Sequence, residues 1–279
     1  MGAAGTYDPE ELLRWYVDAG IDVALGDEPV DHFAAPAVEA SRTGASIAPA
    51  ERKPAPAARH AEVSRKEAAV PTADVVARAH RLAQAASDLA GLRAVMEDFD
   101  GCNLRHTAQN LVFGDGDRDA RIMVIGEAPD RAEDEQGLPF VGRSGQLFDR
   151  MLASIGLDRK RIYLANVVPW RPPGNRQPTP AEIAICKPFI DRHIELVEPR
   201  LLLLMGGSSA KTILDSAKGI LSLRGRFASA KAGNLTVQAM PMLHPGYLLK
   251  QPAHKRHAWH DLLKVAQWLD ENGPPSESD

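Results

Sequence analysis

Cysteine is nearly missing from this chain: Cys102 and Cys186 are the only two in 279 residues. Two thiols exclude a disulfide framework and fall short of a self-sufficient four-cysteine metal site. Long apolar runs are missing as well. Leu201 to Met205 is typical of the longest, far below the roughly 20 residues of a membrane-spanning helix. The N-terminus has no basic segment followed by an apolar core, so a soluble, cytoplasmic protein without a membrane anchor is expected. Positive charge is not in excess either. With a net charge of -4, any nucleic-acid site has to be a local basic surface on an acidic protein.

What is present divides the chain into three parts. Residues 1–33 contain one short helix signal, Asp8 to Gly20, with Asp8 as N-cap, Pro9 in the first turn, Glu11 three residues after the cap and Gly20 at the close. So short a helix is not stable alone; it either docks on the rest of the chain or serves as a partner-binding peptide. Residues 34–72 are dominated by Ala, Pro, Ser, Arg, Lys and Glu. Such a segment buries too little apolar surface to offset its ordering entropy, and a disordered linker is expected. From residue 73 to 279 the patterning is that of a folded domain: a helix over Ala73 to Met96, then strands and helices in alternation.

The strand candidates are Arg121 to Ile125, Ile162 to Val168, Leu201 to Met205 and Leu235 to Met242. The helix candidates are Gly145 to Ile155, Pro180 to Val197, Ser208 to Leu214 and Lys255 to Leu269. This order predicts an α/β three-layer sandwich around a mainly parallel four-stranded sheet. Parallel strands deliver their C-terminal ends to one rim, where ligands bind. Three polar blocks fall there: GEAPDRAEDEQGLPFVG from Gly126, NVVPWRPPGNR from Asn166, and HPGY from His244. Carboxylate, aromatic ring, amide, histidine and arginine are thereby expected to converge.

Together with the Leu223-Arg224-Gly225 segment, these strings in this order resemble the uracil-DNA glycosylase superfamily, nearest its family 4 branch, over about Glu97 to Leu269. The resemblance implies a monofunctional DNA repair enzyme that hydrolyses the N-glycosidic bond of deoxyuridine, releases uracil and leaves an abasic site. No lysine lies within the three blocks, and Lys250 is just beyond the last, so water rather than a lyase lysine is expected to attack. The base must be flipped out, held by face and edge, and leave as an anion. By resemblance, Phe140 stacks on uracil, while Gly126 and Ala128 line its pocket. Asn166 reads it, its carbonyl accepting from N3–H and its amide donating to O4. Glu127 positions water and stabilises the cationic sugar, with Asp130 as a second acidic candidate. His244 donates to uracil O2 as charge develops. Arg171, Asn175, Arg176, Lys250, Lys255 and Arg256 are the expected phosphate-facing set, with Leu248 and Leu249 as an apolar wedge. The other carboxylates, Glu133, Asp134 and Glu135, read as a solvated turn.

Two departures from the family qualify the resemblance. Its family 4 members hold a [4Fe–4S] cluster on four cysteines, and the matching positions here read Phe99, Cys102, Trp170 and Cys186. Two thiolates cannot hold a cubane that needs four, so no metal or cofactor is expected, with Phe99 and Trp170 filling the space. The family's Gly after GEAP is Asp130 and a later acidic position is Ala132. Asp130 is expected to tolerate a left-handed turn, and its charge either helps position water or raises the pKa of Glu127 and weakens catalysis. These mismatches motivate an alternative, a uracil- or abasic-DNA-binding protein of the same fold with little turnover. A monomer is expected, and by the same resemblance the helix signal of residues 8–20 implies a peptide for a repair or replication partner.

Overall fold

A computed structural model describes residues 73–273. The predicted helix of residues 8–20 and the linker of residues 34–72 lie outside the described residues. None of the described helices is long and apolar enough to cross a membrane.

The alternation of strand and helix builds one twisted sheet between two helical layers. Its strands are β1 (Asp115–Gly116), β2 (Ile122–Gly126), β3 (Tyr163–Asn166), β4 (Leu201–Met205), β5 (Ala228–Ala232) and β6 (Leu235–Met242). The order across the sheet is β1-β3-β2-β4-β6-β5. The middle four are parallel and are the four expected from the sequence. All residues of β2, β3 and β4 are buried, the property of a parallel strand covered on both faces.

The expectation of four strands was two short. β1 and β5 pair antiparallel at the two edges. β5 escaped because its sequence ASAKA is short of the β-branched and aromatic residues that mark a strand. Its turn was legible: Gly233-Asn234 joins β5 to β6, with Gly233 at φ 53°, and a Gly-Asn pair between two extended runs is a hairpin signal.

The helices are α1 (Ala73–Ala85), α2 (Leu89–Asp98), α3 (Arg131–Gln136), α4 (Gly142–Ala153), α5 (Pro180–Val197), α6 (Gly207–Ile213), α7 (Ile220–Leu223), α8 (Pro245–Lys250) and α9 (Lys255–Asn272). The single helix expected over Ala73 to Met96 is two, because Asp88 caps a new start by accepting from the Gly91 N–H at 2.7 Å. One core lies between the sheet and α1, α2 and α5 and contains Leu92, Phe99, Ile125, Phe189 and Leu202. The second lies under α4 and α9 and contains Val124, Phe140, Phe148, Leu203 and Leu262. This is the predicted three-layer arrangement. Between α5 and β3, His193 meets the Tyr163 hydroxyl at 2.9 Å, and burial pushes the His193 pKa down to about 3.

Candidate active site

The register of the sheet assembles the site. Gly126 is the last residue of β2 and pairs with Asn166, the last of β3, while the Val167 N–H donates to the Gly126 carbonyl at 3.0 Å. His244 follows β6, two strands further along the same rim. Gly126, Phe140, Asn166 and His244 therefore come together from three distant segments.

Each of the four has a structural reason for its place. A Cβ on Gly126 would lie 2.2 Å from Asn166 Oδ1 and 3.0 Å from Phe140 Cζ, so no other residue fits without moving the amide or the ring. Asn166 is buried, and its Nδ2 has no hydrogen-bond partner. An unpaired buried donor costs about 1–3 kcal/mol, and this one is free to meet a ligand at the rim. The Phe140 ring rests on Phe148 at 4.9 Å and faces His244 at 6.1 Å, with 29° between the ring planes. His244 caps α8, its Nδ1 accepting from the Gly246 N–H at 3.1 Å. That bond fixes the other nitrogen, Nε2, as the donor of the neutral ring. Burial pushes the His244 pKa down to about 4 against an opposing pull from Asp130, so the imidazole is neutral at pH 7.

Phe140 is not in an ordinary conformation. Its φ is 55°, left-handed and strained for a bulky side chain. Glu133 and Arg159 hold it there: Glu133 accepts from the Phe140 N–H, and Arg159 donates to the Phe140 carbonyl. Gly145 leaves room, since a Cβ there would meet the Phe140 carbonyl oxygen at 1.9 Å. Sequence reading missed both Glu133 and Arg159. The signal for Glu133 was available, because Asp130 followed by Glu133 is a capping-box spacing.

The acidic turn is correspondingly not a solvated one. Asp130 N-caps α3 at φ -87°, ψ -172°, extended rather than left-handed, and its Oδ1 accepts from the Glu133 N–H at 3.0 Å. Glu133 accepts in return from the Asp130 N–H at 2.7 Å. Burial, and then the Asp130 charge, lift the Glu133 pKa to about 7. Asp134 is buried too and accepts from the Gln109 and Asn110 N–H groups at 2.8 and 3.0 Å. Glu127 stands half-buried on the rim directly after β2, and burial alone raises its pKa. Ala128 is half-buried beside it and packs on the first core.

The expected DNA-facing residues divide. Arg171 Nε donates to Asn175 Oδ1 at 2.6 Å, and Arg176 is held by Glu182 at 2.6 and 2.9 Å, so these bonds stiffen the PPGN turn. Lys250, Lys255 and Arg256 are exposed near the start of α9. Leu248 cannot be a wedge, because it is 1% exposed within the second core; Leu249, at 38%, presents its side chain to solvent. The helical period of α8 puts these neighbours on different faces.

The four positions expected to replace a cluster do not fit one. Phe99, Cys102, Trp170 and Cys186 are all buried in the first core, with Phe99 packed edge-on against Phe189 at 5.0 Å. The neighbouring Cys102 thiol and then burial push the Cys186 pKa up.

The model of the uracil DNA glycosylase superfamily matches residues 113–263, more than half of the 279-residue chain. The chain belongs to the uracil DNA glycosylase superfamily. Within it, this glycosylase-family chain is 35% identical to a type-4 uracil-DNA glycosylase of Thermotoga maritima over 175 residues, 62% of this chain and 90% of the relative. It is 34% identical to one of Archaeoglobus fulgidus over 177 residues, 62% and 89% of the two chains. A third, from Pyrobaculum aerophilum, is 32% identical over 179 residues, 63% and 91% of the two. All three alignments are shorter than the described domain of residues 73–273, and the superfamily model begins at Phe113, after both α1 and α2.

Proposed function

We propose that this chain excises uracil from DNA by hydrolysing the N-glycosidic bond of deoxyuridine, leaving an abasic site in base excision repair. The observation that carries the reading is the buried Asn166 amide, whose Nδ2 has no protein partner at the rim where Phe140 and His244 also meet. Uracil supplies what is lacking: O4 accepts from Nδ2 while N3–H donates to Oδ1. Cytosine presents the opposite pattern and leaves both groups unpaired, a costly mismatch in a desolvated pocket.

The remaining roles follow from position. Phe140 stacks on the flipped base, a contact worth roughly 1–3 kcal/mol. Neutral His244 donates from Nε2 to uracil O2 as the bond breaks; a preorganised donor of this kind lowers a barrier by roughly 2.7–4 kcal/mol. Glu127 holds the attacking water and offsets the positive charge that develops on the sugar. Asp130 acts through α3 and through its charge on His244, as a positioning residue. Leu249 is the wedge that fills the space the base leaves.

No iron–sulfur cluster takes part in this reading. What supports that is the replacement of two of four ligands by Phe99 and Trp170, both buried in the first core.

The test is uracil release from single- and double-stranded oligonucleotides by wild type, Glu127→Ala and His244→Ala. Both variants are expected to lose at least a hundredfold. Wild-type turnover no faster than either variant would refute the reading.

A further inference from the structure

Beyond His244 on the same rim, a second cavity of about 710 Å³ opens between the segment Lys218–Arg226 and the first half of α9. Its floor is a closed ion pair. Arg224 binds Asp261 through two bonds of 3.0 and 2.5 Å and also donates to the His257 carbonyl. Lys264 is tied to the Gly225 carbonyl at 2.6 Å, an acceptor that leaves its charge uncancelled. On the walls, Lys218 and Arg226 are exposed and have no acidic partner among the described residues. With Asp261 cancelling Arg224, the cavity carries the charges of Lys218, Arg226 and Lys264. His257 at the cavity mouth has its pKa held below the ordinary value by slight burial and then by Arg224, Arg256, His254 and His260 around it.

The cavity is joined to the site by short connections. The Gly225 N–H donates to the Pro241 carbonyl at 3.0 Å, three residues before His244. A Cβ on Gly206 would touch the His244 Cβ at 3.4 Å, and one on Gly207 would touch Ile220 of α7 at 3.7 Å. On the other side of His244, the Tyr247 hydroxyl meets His254 at 2.7 Å, and His254 lies 5.5 Å from the His257 ring at the cavity mouth. A continuous polar and basic strip thus runs from the HPGY turn into the cavity.

We propose that this cavity is a backbone-phosphate site for the DNA strand that carries the target nucleotide, with Lys218 and Arg226 as its phosphate ligands. The proposal rests on the DNA-repair reading for the identity of its ligand. Adjacent strands are about 4.8 Å apart, so the rim from β3 to β5 spans about 19 Å. Along the duplex axis one strand advances about 3.4 Å per phosphate, so a rim of this length covers roughly five to six phosphate steps. The Arg171 and Arg176 turn after β3 stands at one end, the cavity at the other, and the uracil pocket between them. Holding the strand on both sides of the extruded nucleotide is what keeps it bent open.

The experiment uses the full chain and a uracil-free duplex, with binding followed by fluorescence anisotropy from 50 to 200 mM salt. The Lys218→Ala/Arg226→Ala double variant should lower the slope of log affinity against log salt by about 2, one for each lost phosphate contact. Its KM for uracil-containing duplex should rise roughly tenfold with kcat unchanged, and Tm should match wild type because both side chains are exposed. An unchanged slope overturns the proposal, as does a double variant that loses affinity for inorganic phosphate alone while binding DNA as before. Uracil-free DNA separates the two readings. A chain that never excises uracil can still give the slope change, and a chain that excises normally with an unchanged slope sinks only the cavity.

Discussion

Asn166→Ala tests the chemistry of the pocket at one atom pair. In the free protein Asn166 is 6% exposed and its Nδ2 is unpaired, so truncating it removes no protein hydrogen bond from that nitrogen. With uracil bound, the same truncation leaves O4 and N3–H of the base buried without partners. At about 1–3 kcal/mol for each group, the transition state loses about 2–6 kcal/mol. One tenfold step is 1.36 kcal/mol, so kcat/KM for uracil-containing oligonucleotides should fall roughly 30-fold to 25,000-fold. Stability should barely move, with Tm within about 3 °C of wild type. The opposite pairing of results, near-wild-type excision and a Tm lowered by 6 °C or more, would mean that Asn166 only ties the end of β3. That outcome refutes the reasoning, and steady-state kinetics beside a thermal melt on the same preparation decide it.

Glu127→Gln should abolish the acid limb of the kcat/KM profile as well as lower its plateau: burial raises the Glu127 pKa, so a required carboxylate is lost at a higher pH than for an ordinary glutamate. Leu249→Ala should slow excision from duplex while sparing single strands and Tm, whereas Leu248→Ala should cost about 2–5 kcal/mol of stability in a urea titration because it opens a core cavity. Glu133→Ala, which touches no substrate, should lower kcat/KM at least tenfold by freeing Phe140 from its left-handed conformation; a crystal structure of the variant with an unmoved ring would contradict this. Stability against pH carries opposing signs. His193 and His244 have folded pKa values of about 3 and about 4, below the unfolded value. The unfolded chain therefore binds more protons below about pH 6.5, and each ring adds a stability slope of about 1.4 kcal/mol per pH unit, lost as pH falls. Glu133, raised to about 7, binds its proton in the folded state and acts oppositely between its unfolded pKa and pH 7. Urea titrations at pH 5 and 6 should therefore show a shallower wild-type slope than Glu133→Gln.

The parallel core of the sheet was legible because buried strands write themselves as apolar runs: Leu201 to Met205 begins and ends as β4 does. The edges were not, since an edge strand needs few apolar residues and β1 is only Asp115–Gly116. The helix break at Asp88 was written in the sequence as a cap but overridden by a period that runs through it. Of the candidate site, Gly126 and Asn166 stood out by their place at strand ends and His244 by its motif, and the fold brings the three to one rim. Leu248 was misassigned because adjacent leucines are indistinguishable in sequence; only the direction of α8 separates the buried from the exposed one.

The acidic turn shows why some of the site could not be ranked from sequence. Five carboxylates stand between Glu127 and Glu135, and a count of charges treats them alike. Folding separates them by hydrogen bonds. Asp130 and Glu133 cap one another, Glu133 takes the Phe140 N–H, Asp134 takes two amides, and Glu135 pairs with Arg131 at 2.7 Å. Glu127 alone remains on the rim with burial as the only cause of its raised pKa. A carboxylate that is half-buried and not spent on the backbone ionises reluctantly, and the positive charge of a developing sugar cation is what favours its ionised form. The same turn that looks like excess charge is thus a scaffold in which the Asp130–Glu133 pair positions a ring in a strained conformation and Glu127 alone is left on the rim. Asp130 in place of glycine fits this division: it needs no left-handed backbone, because its side chain starts the helix whose third residue holds Phe140.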